Sequence, residues 1–115
     1  MSVELPDPED QKLVTLARAH RARAGAPEGA AVRDSDGRTY SAASVALPTL
    51  RLSAVEVAVA VAAGSGVTGL EAAVVVTGAA ALADSDATVV REFAGAGVPI
   101  YRATPAGDVV DQVST

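Results

Sequence analysis

The chain has no cysteine and no tryptophan, one histidine (His20), one lysine (Lys12) and only three aromatic residues, Tyr40, Phe93 and Tyr101. Without cysteine there is no disulfide and no thiol chemistry, and the redox compartment is left open. The same count excludes a zinc centre built from cysteine and histidine ligands, which takes several such side chains. With so few rings, the core has to come from valine, alanine and leucine in a chain that is 50% hydrophobic. Each of these side chains buries little area, so at roughly 25 cal/mol per Å² a single copy is only modestly stabilised. A homo-oligomer, dimer or tetramer, is the natural remedy and is expected.

Long hydrophobic runs are also missing. The longest uncharged stretch, Val57 to Leu70, is shorter than a membrane span and is interrupted by Gly64, Ser65, Gly66 and Gly69. The start, Met1-Ser2-Val3-Glu4-Leu5-Pro6, is acidic and lacks an apolar signal core, so a cytoplasmic protein without membrane contact is expected. The net charge of −5 argues against nucleic acid, because lysine and arginine supply most of the affinity for phosphate. Arg18, Arg21 and Arg23 cluster around His20 and read as a solvated helix face. The excess of arginine over lysine, with the alanine, valine and glycine bias, points to a bacterium of high GC content. At 115 residues the chain is one domain, residues 1–115, with an ordered core expected from about 8 to 112.

What is present reads as alternating elements. Asp7, Pro8, Glu9 and Asp10 combine a capping side chain, a proline at the first helical position and acids facing the helix dipole. This helix runs to about Ala24, with Leu13, Leu16, Ala17 and His20 at helical spacing, and Gly25 stops it. Two strand-like runs, Ala30 to Arg33 and Arg38 to Val45, flank Asp34-Ser35-Asp36-Gly37 as a hairpin. The Asp-x-Asp-Gly spacing resembles the opening of a calcium loop, but the remaining ligands and terminal glutamate are missing, so it reads as a turn. After the connector Leu47-Pro48-Thr49-Leu50, Ser53 caps a helix from Ala54 to Ala63. Alternation of Val55, Val57, Val59 and Val61 would permit a strand, but the alanines, the cap and the glycine stop favour a helix buried nearly all round. Leu70 to Thr77 reads as a central strand buried on both faces. Asp84-Ser85-Asp86 caps a helix to about Ala94, Val98 to Ala103 forms a strand, and Asp108-Val109-Val110 adds an edge strand. Gly64-Ser65-Gly66 and Gly95-Ala96-Gly97 follow helices rather than precede them, so they are helix stops and not phosphate loops. The fold class is α/β: a hairpin followed by βαβ units implies a mixed sheet with right-handed crossovers and helices on its faces.

That order resembles the cytidine deaminase family, specifically its small homotetrameric class, over about residues 8 to 112. The likeness is carried by Ala30-Ala31-Val32 with Asp36-Gly37-Arg38-Thr39-Tyr40, by Leu50-Arg51-Leu52-Ser53-Ala54-Val55-Glu56, by Ala72-Ala73-Val74-Val75-Val76-Thr77, by Val90-Arg91-Glu92-Phe93 and by Val98-Pro99-Ile100-Tyr101. The resemblance implies a three-layer α-β-α sandwich. In such enzymes a cysteine or histidine and two further cysteines hold zinc at helix starts, and a glutamate moves protons. Here Ser53 takes the first ligand position and Val55 that of the glutamate. Glu56 lies one residue on, about 100° around the helix. The second ligand segment falls near Ala83 to Asp86, with several residues deleted. The sugar-holding Asn-Val-Glu corresponds to Ser44-Val45-Ala46.

Ser44, Ala46, Ser53, Val55, Ala83 and Asp86 are therefore the remnant positions of that site, with no catalytic residue, metal or cofactor among the expectations. Asp84 and Asp86 as a hard-ion site compete with a capping role, which is the simpler reading. Ser53 as a nucleophile needs a general base, and His20 reads instead as a surface or interface residue. A serine replacing a zinc thiolate at a helix start gives a self-satisfied cap, so the fold can persist without metal. The expected function is a metal-free, catalytically inactive, oligomeric binding or regulatory module, with an unidentified protein as a possible partner. The alternatives are a deaminase with an unfamiliar site and a nucleoside-sensing module that uses the remnant pocket.

Overall fold

The structure, a computed structural model, describes residues 4, 5 and 7–115. Met1, Ser2, Val3 and Pro6, on which the reading of the chain's start rests, lie outside the described residues. The elements run α1 (Pro8–Ala24), β1 (Gly29–Asp34), β2 (Thr39–Ala43), β3 (Val45–Ala46), β4 (Arg51–Leu52), α2 (Ala54–Gly64), β5 (Leu70–Val76), α3 (Asp84–Ala94), β6 (Pro99–Ala103) and β7 (Val109–Ser114). Five strands form one sheet in the order β2-β1-β5-β6-β7, and β3 and β4 pair separately. The β5–β6 pair is parallel and the other pairs are antiparallel, so the sheet is mixed.

Strand alternation sorts the core into two sets. Ala30, Val32, Ala73, Val75 and Ile100 pack with Ala54, Val55, Ala58, Val59 and Ala62 of α2 and Val90 of α3. Ala31, Ala72, Val74, Val76 and Ala103 face the other way, onto Leu13, Val14 and Ala17 of α1. Period-two side-chain alternation thus builds an α-β-α sandwich, with α1 on one face and α2 and α3 on the other. Among the described residues no helix is long and apolar enough to cross a membrane.

The local signals of α1 act as the sequence implies. Asp7 Oδ1 accepts from the Glu9 amide at 2.9 Å, and Gly25 closes the helix at φ 65°. The buried face differs from the expectation: it is Asp10, Leu13, Val14 and Ala17, whereas Leu16 is 36% exposed. A sheet seats only one stripe of a helix, and Leu16 falls on its flank. Asp10 is buried because it meets Arg33 of β1 at 2.9 Å, and Arg33 also binds Glu71 at 2.9 Å. Tyr101 Oη donates to the same Asp10 at 3.2 Å, while Arg33 Nη1 is buried without a partner.

The hairpin turn is closed by Asp34. Its carboxylate accepts from the amides of Asp36 and Arg38 at 2.8 and 3.0 Å and from Tyr40 Oη at 2.8 Å, as a side chain that shapes a turn does. The run Arg38 to Val45 is not one strand. Past Ala43 it outruns β1, so the Ser44 amide bonds to Glu28 O at 3.1 Å and Val45–Ala46 turn away to pair with β4.

Helix α2 is buried on one side only. Ala54, Val55, Ala58, Val59 and Ala62 are enclosed, but Ala60 and Ala63 are exposed and Val61 is 45% exposed. Nor do Asp84 and Asp86 cap α3. Its cap position is Ala83, with no side-chain cap bond, and Asp86 turns inward to a different partner. The final strand is longer than expected, because β7 pairs with β6 through a register shift between Arg102 and Ala103.

Helix α1 packs tightly over Gly29. A Cβ there would collide with the carbonyl oxygen of Ala17 and with Arg21 Cβ. Gly29→Ala should therefore cost about 1–3 kcal/mol, as overpacking does. Urea denaturation measures it, and an unchanged midpoint would refute the tight seating.

Candidate functional site

The start of β1, the ends of β2 and β5, and the first residues of α2 meet at one end of the sheet. Gly29 pairs with both Ala43 and Val76, which fixes that convergence. A cavity of about 600 Å³ opens there, lined by Arg21, Glu28, Ser44, Ser53 and Thr77 among polar residues and by Pro27, Ala46 and Leu52 among apolar ones. A crevice outside the carboxyl ends of parallel strands is where open α/β sheets bind ligands.

Ser53 is the hub of this end. Its Oγ accepts from the Glu56 amide at 3.1 Å, and Glu56 Oε1 accepts from the Ser53 amide at 2.7 Å, a complete capping box. The hydroxyl proton goes elsewhere: Ser53 Oγ donates to Asp86 Oδ1 at 2.6 Å. That length is typical of a hydroxyl bonded to a carboxylate. The first turn of α2 is thereby tied to the first turn of α3, and Glu56 folds back on its own helix start.

Asp86 is 3% exposed. Burial pushes its carboxyl above the usual carboxylate range, the Ser53 hydrogen bond pulls it back, and the nearby charges of Glu28 and Glu56 push it up again. Glu28 is held by Thr77, whose Oγ1 donates to Glu28 Oε2 at 2.9 Å and accepts from the Ala79 amide at 3.1 Å. The Glu28 amide donates to Ser44 Oγ at 3.3 Å. His20 takes no part: its Nδ1 lies 2.9 Å from Ser41 Oγ on β2, and burial first, then Arg23, lowers its pKa.

Of the six positions singled out from the sequence, Ser44, Ala46 and Ser53 line the cavity, and Asp86 stands behind Ser53. Val55 is fully buried in the core, and Ala83 offers only its backbone at the start of α3. Asp84 is exposed where Asp86 is buried, so the two do not converge on an ion. Arg21, Glu28 and Thr77 were not singled out. A lone threonine ending the apolar run Leu70–Val76, and a glutamate wedged between Pro27 and Gly29, are the sequence signals that point to them.

These donors do not fit zinc. Zinc sites take thiolate, imidazole or carboxylate in closed sets of three or four. Here Ser53 offers a hydroxyl that already donates to Asp86 and accepts from Glu56, Val55 and Ala83 supply no ligand atom, and of the six remnant positions Asp86 alone carries a carboxylate. Among the described residues no group of three or more histidines, cysteines or acids is placed to hold a metal.

The chain belongs to the cytidine deaminase-like family, whose model matches residues 6–107. Among solved structures it is similar to the cytidine deaminase of Burkholderia pseudomallei, with 22% identity over 90% of each chain and a TM-score of 0.79. It is likewise similar to the cytidine deaminases of Mycobacterium leprae (23% identity, 94% of each chain, TM-score 0.74) and Mycobacterium tuberculosis (24% identity, 82% of this chain and 85% of that one, TM-score 0.71). At these identities the likeness is one of fold. No protein of curated function matches the sequence.

Two variants probe the Ser53–Asp86 bond. Ser53→Ala removes a cap and strips Asp86 of its donor, and should cost about 2 kcal/mol at neutral pH in urea denaturation. A loss within experimental error would refute the bond. Asp86 binds its proton more tightly folded than unfolded, so its contribution to stability is full below about pH 3.9 and is lost as pH rises through its raised pKa. The stability of the wild type relative to Asp86→Asn should therefore fall as pH rises from about 3.9 through the raised pKa of the folded state. A difference that grows with pH would mean that the fold favours the ionised carboxyl.

Proposed function

We propose that this chain is a metal-independent, catalytically inactive relative of cytidine deaminase that works as an oligomeric binding or regulatory module. The observation that carries the reading is the Ser53–Asp86 hydrogen bond, in which two helix starts are joined by side chains alone. Ser44, Ala46, Ser53, Val55, Ala83 and Asp86 are taken as the successors of the family's site residues. Attack by zinc-activated water needs a metal to bring the water's pKa toward neutrality and a carboxylate to move protons. This site supplies neither a fitting ligand set nor an acid at Val55, which lies buried among aliphatic side chains.

The partner proposed first is a second copy, in a dimer or tetramer. Val57, Ala60, Val61 and Gly64 lie along the outer side of α2, at spacings that share one helix face, without a charge among them. A helix that is hydrophobic all round is ordinarily enclosed, and small residues let another helix approach closely. A further protein partner, a cytoplasmic location and the absence of nucleic acid or membrane contact belong to the same proposal. A second reading, in which the module senses a nucleoside, rests on the size of the cavity beside Ser53 alone.

The relatives are cytidine deaminases, so cytidine turnover, followed by absorbance, and the metal content of purified protein test the inactive reading. The expected results are no turnover and less than stoichiometric zinc, with stability unchanged by chelator. Stoichiometric zinc, or deamination through an unfamiliar site, would end it. For assembly, light scattering should give a mass above one chain for the wild type, and Val61→Arg should shift it toward the monomer. A monomeric wild type would remove the oligomer from the proposal.

A further inference from the structure

We infer that the cavity at the end of β5 takes a small zwitterion, an aliphatic amino acid, in preference to an uncharged nucleoside. The inference rests on the binding-module reading above and gives that site a ligand class. It follows from counting which polar groups of the lining are already spent. Ser53 Oγ donates to Asp86 and accepts from Glu56, and Thr77 Oγ1 donates to Glu28 and accepts from Ala79, so neither hydroxyl has its proton to offer a ligand.

Three groups remain open. Arg21 uses only Nε, which donates to Pro27 O at 3.0 Å, and its terminal nitrogens have no protein partner among the described residues. Glu28 has one carboxylate oxygen bonded to Thr77 and the other without a partner there. Ser44 Oγ accepts from the Glu28 amide and keeps its own proton. Arg21 and Glu28 line the same cavity without pairing with each other among the described residues, so neither charge is spent on the other.

A ligand matched to these groups carries an anion for Arg21 and Ser44 and a cation for Glu28. An α-carboxylate and an α-ammonium on one small molecule meet both conditions, and neither charge is then desolvated alone. A nucleoside would cover two charges without answering either. It would also find no ring to stack on, because no aromatic side chain lines the cavity. Pro27, Ala46 and Leu52 supply the apolar wall for an aliphatic side chain, and the volume of about 600 Å³ lies within the range of small-molecule sites.

Calorimetric titration of the full chain with L-leucine, L-valine, isoamylamine, 4-methylpentanoate and cytidine tests this. Saturable binding of at least one amino acid is expected. Isoamylamine and 4-methylpentanoate, each lacking one of leucine's charges, should bind about tenfold or more weakly. Arg21→Met and Glu28→Gln should each weaken amino-acid binding by a similar factor, with melting curves recorded beside each titration. The ligand-analogue comparison needs no variant, so a variant that fails to fold leaves the test intact. Amino acids that give no saturable signal at millimolar concentration, analogues that bind as well as the amino acid, or cytidine that binds more tightly would each overturn the inference. The inactive-enzyme reading is decided separately, by zinc content and turnover, so either can fail without the other.

Discussion

Helices α2 and α3 begin on the same face of the sheet, and the 2.6 Å bond from Ser53 to Asp86 joins their first turns. Much of the site's organisation depends on this contact. It holds Asp86 in a buried position that a carboxylate occupies only with a good donor, and it consumes the hydroxyl that caps α2. The Ser53 hydroxyl both donates and accepts within the protein, so the two helix starts are joined by side chains alone. The polar chemistry left facing the cleft beside Ser53 belongs to Arg21, Glu28 and Ser44, which arrive from α1, the loop before β1 and the end of β2.

The chain keeps the cytidine deaminase-like fold, and among the described residues no group of three or more histidines, cysteines or acids is placed to hold a metal. The fold has a physical support that needs no metal. Its sheet and helices are held by aliphatic packing on both faces, and the second face is reinforced by Arg33 between Asp10 and Glu71. Of the side chains that line the cleft, Arg21, Glu28, Ser44, Ser53 and Thr77 belong to neither set of core contacts.

Much of the architecture was legible in the sequence because it rests on local rules. Asp7-Pro8, Gly25, the Asp34–Gly37 turn and the cap at Ser53 each fix an element boundary within one turn of chain. Errors came where tertiary geometry decides. Leu16 and Val14 are equally plausible on a helical wheel, and only the sheet's position selects Val14. The break at Ser44 depends on where β1 begins, which the run Arg38 to Val45 does not encode. The site was half visible. Ser53 and Asp86 stood out by their place in a resemblance, but their mutual bond spans 33 positions and has no sequence signature. Acids at helix starts usually cap, and at Asp86 burial against Ser53 overrides that preference. Glu28 and Arg21 carry no local signal that they share a cavity, because a cavity is a property of several elements at once.

The place of β1 in the sheet bears on how a newly made chain reaches this state. β1 is enclosed along its whole length, yet of its two neighbours only β2 follows at once, across the turn at Asp34–Gly37. The other, β5, begins at Leu70, and at roughly 5–20 residues per second a ribosome needs on the order of seconds to supply it. Throughout that interval the nascent hairpin carries an open row of amides and carbonyls beside apolar side chains, a template to which another chain can add. Slow or crowded synthesis would therefore favour clumping of half-made chains, a hazard that arises from strand order and disappears once β5 closes the gap.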